Sequence, residues 1–194
     1  MAYSITSSND GCYPGTTVLI NKPGLKNQAA LDEAESVTVA LRSAEIESEP
    51  SDAPFTFDYY RELHKRLFGD LYDWAGELRT IDFSKKGTSF YPAGNLQELG
   101  NAKFAGLQDM HEFQGLRRSE LVNEITDFYH ELNMLHPFRE GNGRTQRLFF
   151  TLLLRRLGYN ISFAECDTDE LMMATIYAAQ GVTTYLHDFF EKLL

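Results

Sequence analysis

The sequence has few of the features that mark secreted or membrane proteins. It contains only two cysteines, Cys12 and Cys166, which lie far apart in unlike segments and predict a reduced setting rather than a disulfide framework. The longest strongly apolar run, 148–154, is interrupted by Thr151 and is too short to span a bilayer. The first residues also lack the basic-then-apolar pattern of a secretory signal. These absences together predict a cytoplasmic protein.

Basic residues are also scarce, with 18 lysines and arginines against 28 aspartates and glutamates, which gives a net charge of −10. Such a surface disfavours direct, non-specific binding to nucleic acid. The aromatic content of 13% and the regular apolar pattern argue against disorder. Residues 1–24, with several glycines and prolines, predict an extended lead-in, and 25–194 a single domain.

Helical periodicity dominates that domain. Apolar spacing predicts helices over about 27–47, 57–68, 95–112, 117–135, 144–157 and 167–193, the last interrupted at Gly181. One segment has the pattern of a hairpin: residues 80–83 and 88–91 flank a Lys-Lys-Gly turn. The predicted fold is therefore all-α, with one short β-hairpin.

Twelve residues, His136 to Arg147, carry most of the chemistry: His-Pro-Phe-Arg-Glu-Gly-Asn-Gly-Arg-Thr-Gln-Arg. Pro137 ends the preceding helix near His136, and Gly141 and Gly143 allow a tight turn before the next helix. The unpaired N–H groups and the positive dipole at that helix start form a natural anion site.

The side chains of this segment suit a polyphosphate. Arg144 and Arg147 lie three apart on the new helix, and guanidinium groups match phosphate oxygens. Glu140 would repel a phosphate, but a magnesium ion between carboxylate and phosphates would remove that conflict. His136 in its neutral form can accept a proton from a hydroxyl near pH 7, and Phe138 is predicted to anchor the loop in the core.

The segment matches the Fic-domain signature, His-Pro-Phe-x-(Asp/Glu)-Gly-Asn-Gly-Arg-x-x-Arg, at every specified position, so the chain resembles the Fic family. The resemblance implies an all-helical enzyme that transfers AMP from ATP to a protein hydroxyl. It implies that His136 is the base and that Glu140 holds magnesium. Gly141, Asn142 and Gly143 would form the anion-binding nest, with Arg144 at the β-phosphate and Arg147 at the γ-phosphate.

The resemblance assigns roles beyond the motif. The hairpin corresponds to a flap that clamps the target segment by strand addition. The candidate docking residues of the flap are Phe83, Lys85, Lys86, Phe90 and Tyr91. Tyr177 and Gln180 fall where relatives line the adenine pocket, although helix packing explains them equally well. The remaining histidines, His64 among them, are interpreted as ordinary core or surface residues.

Fic enzymes are commonly inhibited by a helix bearing Ser/Thr-x-x-x-Glu-Gly/Asn, whose glutamate pairs with the second motif arginine. The nearest match, Ser43 to Glu47, is followed by Ser48 and is interpreted as chance. The chain therefore resembles the toxin half of a bacterial Fic toxin–antitoxin pair. The resemblance implies a small antitoxin protein that supplies the inhibitory helix. It also implies gyrase B and topoisomerase IV ParE as targets.

Several alternatives stay open at the level of sequence. A Fic fold can transfer phosphate, UMP or phosphocholine instead of AMP. Doc-type kinases carry lysine at the position of Gly143, which counts against phosphate transfer. A non-catalytic nucleotide-binding module would be expected to lack His136 or one of the motif arginines, and all are present. Removal of AMP from targets is also disfavoured. The family uses an inhibitory glutamate within the same chain for that reaction, and the sequence contains no convincing copy of that motif.

Overall fold

A computed structural model describes residues 4–5, 11–50, 52–85, 87–161, 163 and 166–194. The α-helices of the described chain are α1 (Gln28–Ser48), α2 (Phe57–Phe68), α3 (Leu96–Asp109), α4 (Arg118–Leu135), α5 (Asn142–Arg156), α6 (Thr168–Ala179) and α7 (Thr184–Leu193). The strands are β1 (Ser4–Ile5), β2 (Phe83–Lys85) and β3 (Thr88–Ser89). This arrangement confirms the predicted all-α fold with a small β element.

Local side chains explain where several helices begin. Asn27 accepts a hydrogen bond from the Ala30 N–H at the start of α1, and Thr56 accepts one from Tyr59 N–H at the start of α2. Asp167 accepts from the N–H groups of Asp169 and Glu170 in the first turn of α6. In each case the side chain accepts a hydrogen bond from a backbone N–H group that has no acceptor within the helix. These short polar residues therefore fix the helix starts close to where the sequence predicts them.

The core surrounds the joined helices α4 and α5. Helix α4 buries apolar residues along most of its length, and α5 is buried through residues such as Phe149, Phe150 and Leu153. Phe149 contacts the rings of Tyr60 and Phe104 edge to face, at centroid distances of 5.4 and 5.5 Å. Fully burying a large apolar side chain stabilises a fold by roughly 1.5–3 kcal/mol. The loop between α4 and α5 is thus held from both ends by the best-packed part of the molecule.

The predicted hairpin is displaced and gains a third strand. Strand β2 occupies 83–85 rather than 80–83, β3 occupies 88–89 rather than 88–91, and β1 pairs antiparallel with the other edge of β2. The shift has a tertiary cause, because the buried guanidinium of Arg79 takes the carbonyls of Ile81 and Tyr91. The Tyr91 N–H donates to the Met134 carbonyl of α4 at 3.0 Å. The outer ends of the predicted strands are therefore bonded elsewhere.

The third helix ends earlier than its periodicity predicts. Helix α3 stops at Asp109, and a short 3₁₀ turn follows in which Glu112 has a positive φ of 53°. The Glu112 carboxylate accepts from the Phe55 N–H and from Arg156, both at 2.8 Å. These buried bonds offset the backbone strain that ends the helix. Among the helices of the described residues, none has the length and apolar character needed to cross a membrane.

Candidate active site

The loop between α4 and α5 has a strained and well-tied backbone. His136 caps α4 in the left-handed region, with φ 41° and ψ 58°, which residues other than glycine seldom adopt. Gly141 also has a positive φ, 80°, immediately before α5. The buried Asn142 side chain accepts from the Phe138 N–H and donates to the Phe138 carbonyl, both at 2.8 Å. The loop is therefore closed on itself, and the Asn142 amide is used in closing it.

His136 lies at the centre of this loop with its ring buried. Its Nδ1 atom is 3.2 Å from the Asn133 carbonyl, which can only accept a hydrogen bond, so Nδ1 carries the proton. The neutral ring then has Nε2 as its basic atom. Burial is the main cause that lowers the pKa of His136 to about 3, and the nearby positive charge of Lys85 is a second one. The imidazole is consequently neutral at pH 7, as a general base must be.

Arg79 fixes the main chain beneath the imidazole. Its side chain is buried, and its Nε donates to the His136 carbonyl at 2.8 Å. The same guanidinium donates to Ile81 at 2.8 Å and to Tyr91, so it joins the catalytic loop to the flap. Burial lowers the pKa of Arg79 to about 10, which still leaves it charged at neutral pH. Arg79 therefore couples the position of His136 to that of the flap.

The start of α5 presents backbone donors beside His136. The first intrahelical bond runs from the Thr145 N–H to the Gly141 carbonyl at 3.0 Å, so the N–H groups of residues 142–144 precede it. Such groups and the helix dipole favour an anion. Gly143 is exposed, and a Cβ there would meet only the Arg147 Nη1 atom, at 3.4 Å. The absence of a side chain at Gly143 keeps this helix end open.

The two motif arginines have different surroundings. Arg144 forms an ion pair with Glu35 of α1 at 2.6 Å and lies 3.5 Å from Glu140. Within the described residues, no carboxylate forms an ion pair with Arg147. Glu47, from the sequence match to the inhibitory motif, pairs instead with Arg155 at 2.7 Å. Arg144 is thus already oriented by protein groups, whereas Arg147 is not held by a described carboxylate.

The donor set fits a magnesium ion shared with phosphates. Glu140 accepts from the Gly141 N–H at 2.8 Å and is partly exposed at the mouth of the loop. The described residues contain no group of three or more acidic, histidine or cysteine ligands. Magnesium typically binds one or two carboxylates and completes its shell with waters and substrate phosphates. A single carboxylate beside an anion-binding helix end suits that mode.

His64, interpreted from sequence as an ordinary histidine, supports the catalytic loop from below. Its Nδ1 accepts from the Gly76 N–H at 2.8 Å, so Nε2 carries the proton and donates to the Glu140 carbonyl at 2.9 Å. The ring stacks on Phe138 with centroids 3.8 Å apart. Phe138 itself is fully buried. Burial lowers the pKa of His64 to about 3, so this support stays uncharged.

The flap candidates do not share one orientation. Phe90 stacks on the face of His136 at a centroid distance of 3.8 Å, and Lys85 lies close enough to influence its charge. Tyr91 is turned toward α4, where its hydroxyl donates to Glu131 at 3.1 Å. For Phe83 the structure describes the backbone in β2, and Lys86 lies outside the described residues. Of the flap candidates whose side chains the structure describes, Phe90 and Lys85 are the ones near His136.

The two adenine-pocket candidates lie at the end of α6. Tyr177 is 39% exposed and its ring is 4.8 Å from that of Tyr185. Gln180 caps the same helix and is exposed. No hydrogen bond or ring contact among the described residues joins either side chain to the catalytic loop. Their assignment to a base-binding pocket stays a prediction.

Comparison with known proteins identifies this arrangement. The sequence profile of the Fic/DOC family matches residues 54–154, which include the whole catalytic loop. The chain belongs to the Fic/DOC family. It is 32% identical over 182 residues to the probable protein adenylyltransferase Fic of Escherichia coli, covering 94% of this chain and 90% of the relative. It is also 35% identical over 168 residues to the protein adenylyltransferase VbhT of Bartonella schoenbuchensis, covering 87% of this chain and 35% of VbhT.

Solved Fic structures share the fold over almost the entire chain. The BepC protein of Bartonella tribocorum, determined with bound AMPPNP, superposes with a TM-score of 0.88 at 27% identity, covering 95% of this chain and 96% of that one. A Fic domain from Bartonella quintana with bound ADP gives 0.89 at 28% identity, with coverages of 95% and 94%. Both structures contain an adenine nucleotide.

Proposed function

We propose that this chain is a protein adenylyltransferase, which transfers AMP from ATP to a hydroxyl side chain of a target protein. The observation that carries the proposal is the neutral, buried His136 placed beside the donor-rich start of α5. The similarity to named adenylyltransferases and to nucleotide-bound Fic structures supports the same activity. Base and anion site lie within one loop, which suits an in-line transfer.

In the proposed reaction, the target hydroxyl oxygen attacks the α-phosphorus of ATP. A bond forms between that oxygen and the α-phosphorus, and the bond from the α-phosphorus to the bridging oxygen of the β-phosphate breaks. The hydroxyl proton passes to Nε2 of His136, and pyrophosphate leaves. The N–H groups at the start of α5, with Arg144 and Arg147, hold the phosphates. Glu140 would hold a magnesium ion, which when bound neutralises phosphate charge.

The flap supplies a docking edge for the target in this proposal. Phe90, the residue after β3, stacks on the imidazole of His136, and Lys85 of β2 lies near the same ring. An extended target segment that pairs with such an edge brings its hydroxyl to the loop through main-chain hydrogen bonds. The proposed targets are the ATPase subunits of bacterial type II topoisomerases, gyrase B and topoisomerase IV ParE.

We also propose that the protein acts as a toxin inhibited by a separate antitoxin. Arg147 supports this idea, because within the described residues it has no ion pair with a carboxylate. The antitoxin would supply a glutamate that competes with the γ-phosphate for that guanidinium. Co-expression with a peptide bearing Ser/Thr-x-x-x-Glu-Gly/Asn should suppress transfer, and Arg147→Ala should abolish binding of that peptide.

The activity is tested by incubating the protein with magnesium and ATP labelled on either the α- or the γ-phosphate. Gyrase B and a bacterial lysate serve as acceptors. His136→Ala should abolish labelling, whereas His187→Ala, which alters an exposed histidine on α7, should not. Protein labelled from the α-position alone establishes AMP transfer. Label from the γ-position would instead make the chain a kinase, and no label from either would contradict the proposal.

A further inference from the structure

A buried carboxylate on α1 reaches into the phosphate site. Glu35 is 7% exposed, and its Oε2 lies 2.6 Å from Nη2 of Arg144. Its other oxygen, Oε1, accepts a hydrogen bond from the Tyr72 hydroxyl. A buried carboxylate is costly unless charge and hydrogen bonds compensate it. Both oxygens of Glu35 are compensated here, and one of the two partners is a motif arginine.

The contacts around Arg144 fix the plane of its guanidinium. Besides the Glu35 ion pair, the group lies over the ring of Phe68 at 4.7 Å. The contacts of Arg144 with Glu35 and Glu140, at 2.6 and 3.5 Å, are both made by Nη2. The ring contact and the ion pairs together restrict the guanidinium to one orientation.

The Glu35 side chain is itself held in place. Tyr72 is buried, with 1% exposure, and its ring stacks on Trp74 at a centroid distance of 4.4 Å. Trp74 in turn lies 6.0 Å from the ring of His64, which supports the catalytic loop. The chain of contacts thus runs from the floor of the loop through two aromatic rings to Glu35. A carboxylate anchored in this way can hold a guanidinium in one orientation.

We propose that Glu35, held by Tyr72, is a positioning residue that orients Arg144 for the β-phosphate of the nucleotide. The inference rests on the proposed function, in which Arg144 meets that phosphate. A long arginine side chain loses rotamer freedom when it grips a ligand, and prior orientation removes that cost from binding. If Glu35 instead competed with the phosphate for Arg144, removal of its charge would strengthen nucleotide binding, whereas loss of a positioning residue would weaken it. The sign of the effect therefore decides between the two roles.

The test measures the affinities of ATP, ADP and AMP with magnesium by calorimetry, without any acceptor protein. Glu35→Gln keeps the shape and removes the charge, and Tyr72→Phe removes the hydroxyl that holds Glu35. Each should weaken ATP and ADP roughly five- to tenfold, as expected for loss of one oriented polar interaction, and leave AMP unchanged. The matched control is Glu47→Gln, the same change on the same helix at another ion pair with α5, which should have no effect.

A double variant shows whether the effect passes through Arg144. In an Arg144→Ala background, Glu35→Gln should cause no further loss for ATP or ADP, because the group it orients is gone. Unchanged affinity, tighter ATP binding, or equal weakening of all three nucleotides would each overturn the proposal. If thermal unfolding of Glu35→Gln is not cooperative, that variant is misfolded and the affinities of Tyr72→Phe are used instead. AMP transfer by the wild-type protein is assayed separately, so failure of the activity and failure of the positioning role are distinguishable.

Discussion

Replacement of Gly141 by alanine should strain the catalytic loop in two ways. Gly141 has a φ of 80°, and a Cβ at this position would lie 2.4 Å from the ring of Phe68. The left-handed backbone costs an ordinary residue roughly 1–2 kcal/mol. The overlap with a fully buried ring costs roughly 1–3 kcal/mol more, because Phe68 has no room to withdraw. The expected loss in free energy of unfolding is therefore about 2–5 kcal/mol.

Gly143→Ala is the matched control, two residues further along the same segment. A Cβ at Gly143 meets only the flexible end of Arg147, at 3.4 Å. The residue lies in the first turn of α5, where alanine is the better helix former by up to about 1 kcal/mol. The control should therefore keep or slightly raise stability. Urea unfolding, followed by fluorescence of the single tryptophan, Trp74, measures both variants.

The contribution of packing can be separated from that of backbone strain. In a Phe68→Ala background the ring that Cβ would strike is gone, so Gly141→Ala should cost only its backbone part. A loss below about 0.5 kcal/mol for Gly141→Ala, within the range of ordinary surface changes, would refute the reasoning. An equal loss in both backgrounds would refute the packing part alone.

Three further predictions follow from the buried groups of the site. The pKa of His64 is lowered to about 3, so near pH 6.5 the unfolded chain takes up a proton that the folded chain does not bind. Stability should be full above about pH 6.5 and decline toward about pH 3. His64→Gln should reduce that slope in urea titrations, and the part that remains includes the contribution of His136, whose pKa is lowered likewise. Arg79→Lys should lower kcat by at least about tenfold, with a smaller change in the KM for ATP. The reason is that one ammonium group cannot bind all three carbonyls, of His136, Ile81 and Tyr91, to which the Arg79 guanidinium donates. Phe90→Ala should raise the pKa of His136 toward its ordinary value, as measured by NMR titration of the ring, because the stacked phenyl contributes to its burial; an unchanged pKa would contradict this reading.

Much of the fold could be predicted because its signals are local. The limits of α2 match the predicted 57–68, and α4 ends where Pro137 excludes further helix. The predicted hairpin was wrong at its ends, because Arg79 and α4 take the backbone groups that a longer ladder would use. Helix α3 was predicted too long for a similar reason, since Glu112 bonds to partners remote in sequence.

The sequence by itself determined which side chains meet in the loop, because His136, Glu140 and the motif arginines lie within twelve residues and their spacing encodes a turn before a helix. Only the tertiary structure decided how those groups are held. His64 reaches the Glu140 carbonyl across 76 residues, and Glu35 meets Arg144 from another helix. Such partners leave no periodic signal, because what selects them is the requirement that each buried polar group find a partner once the helices have packed.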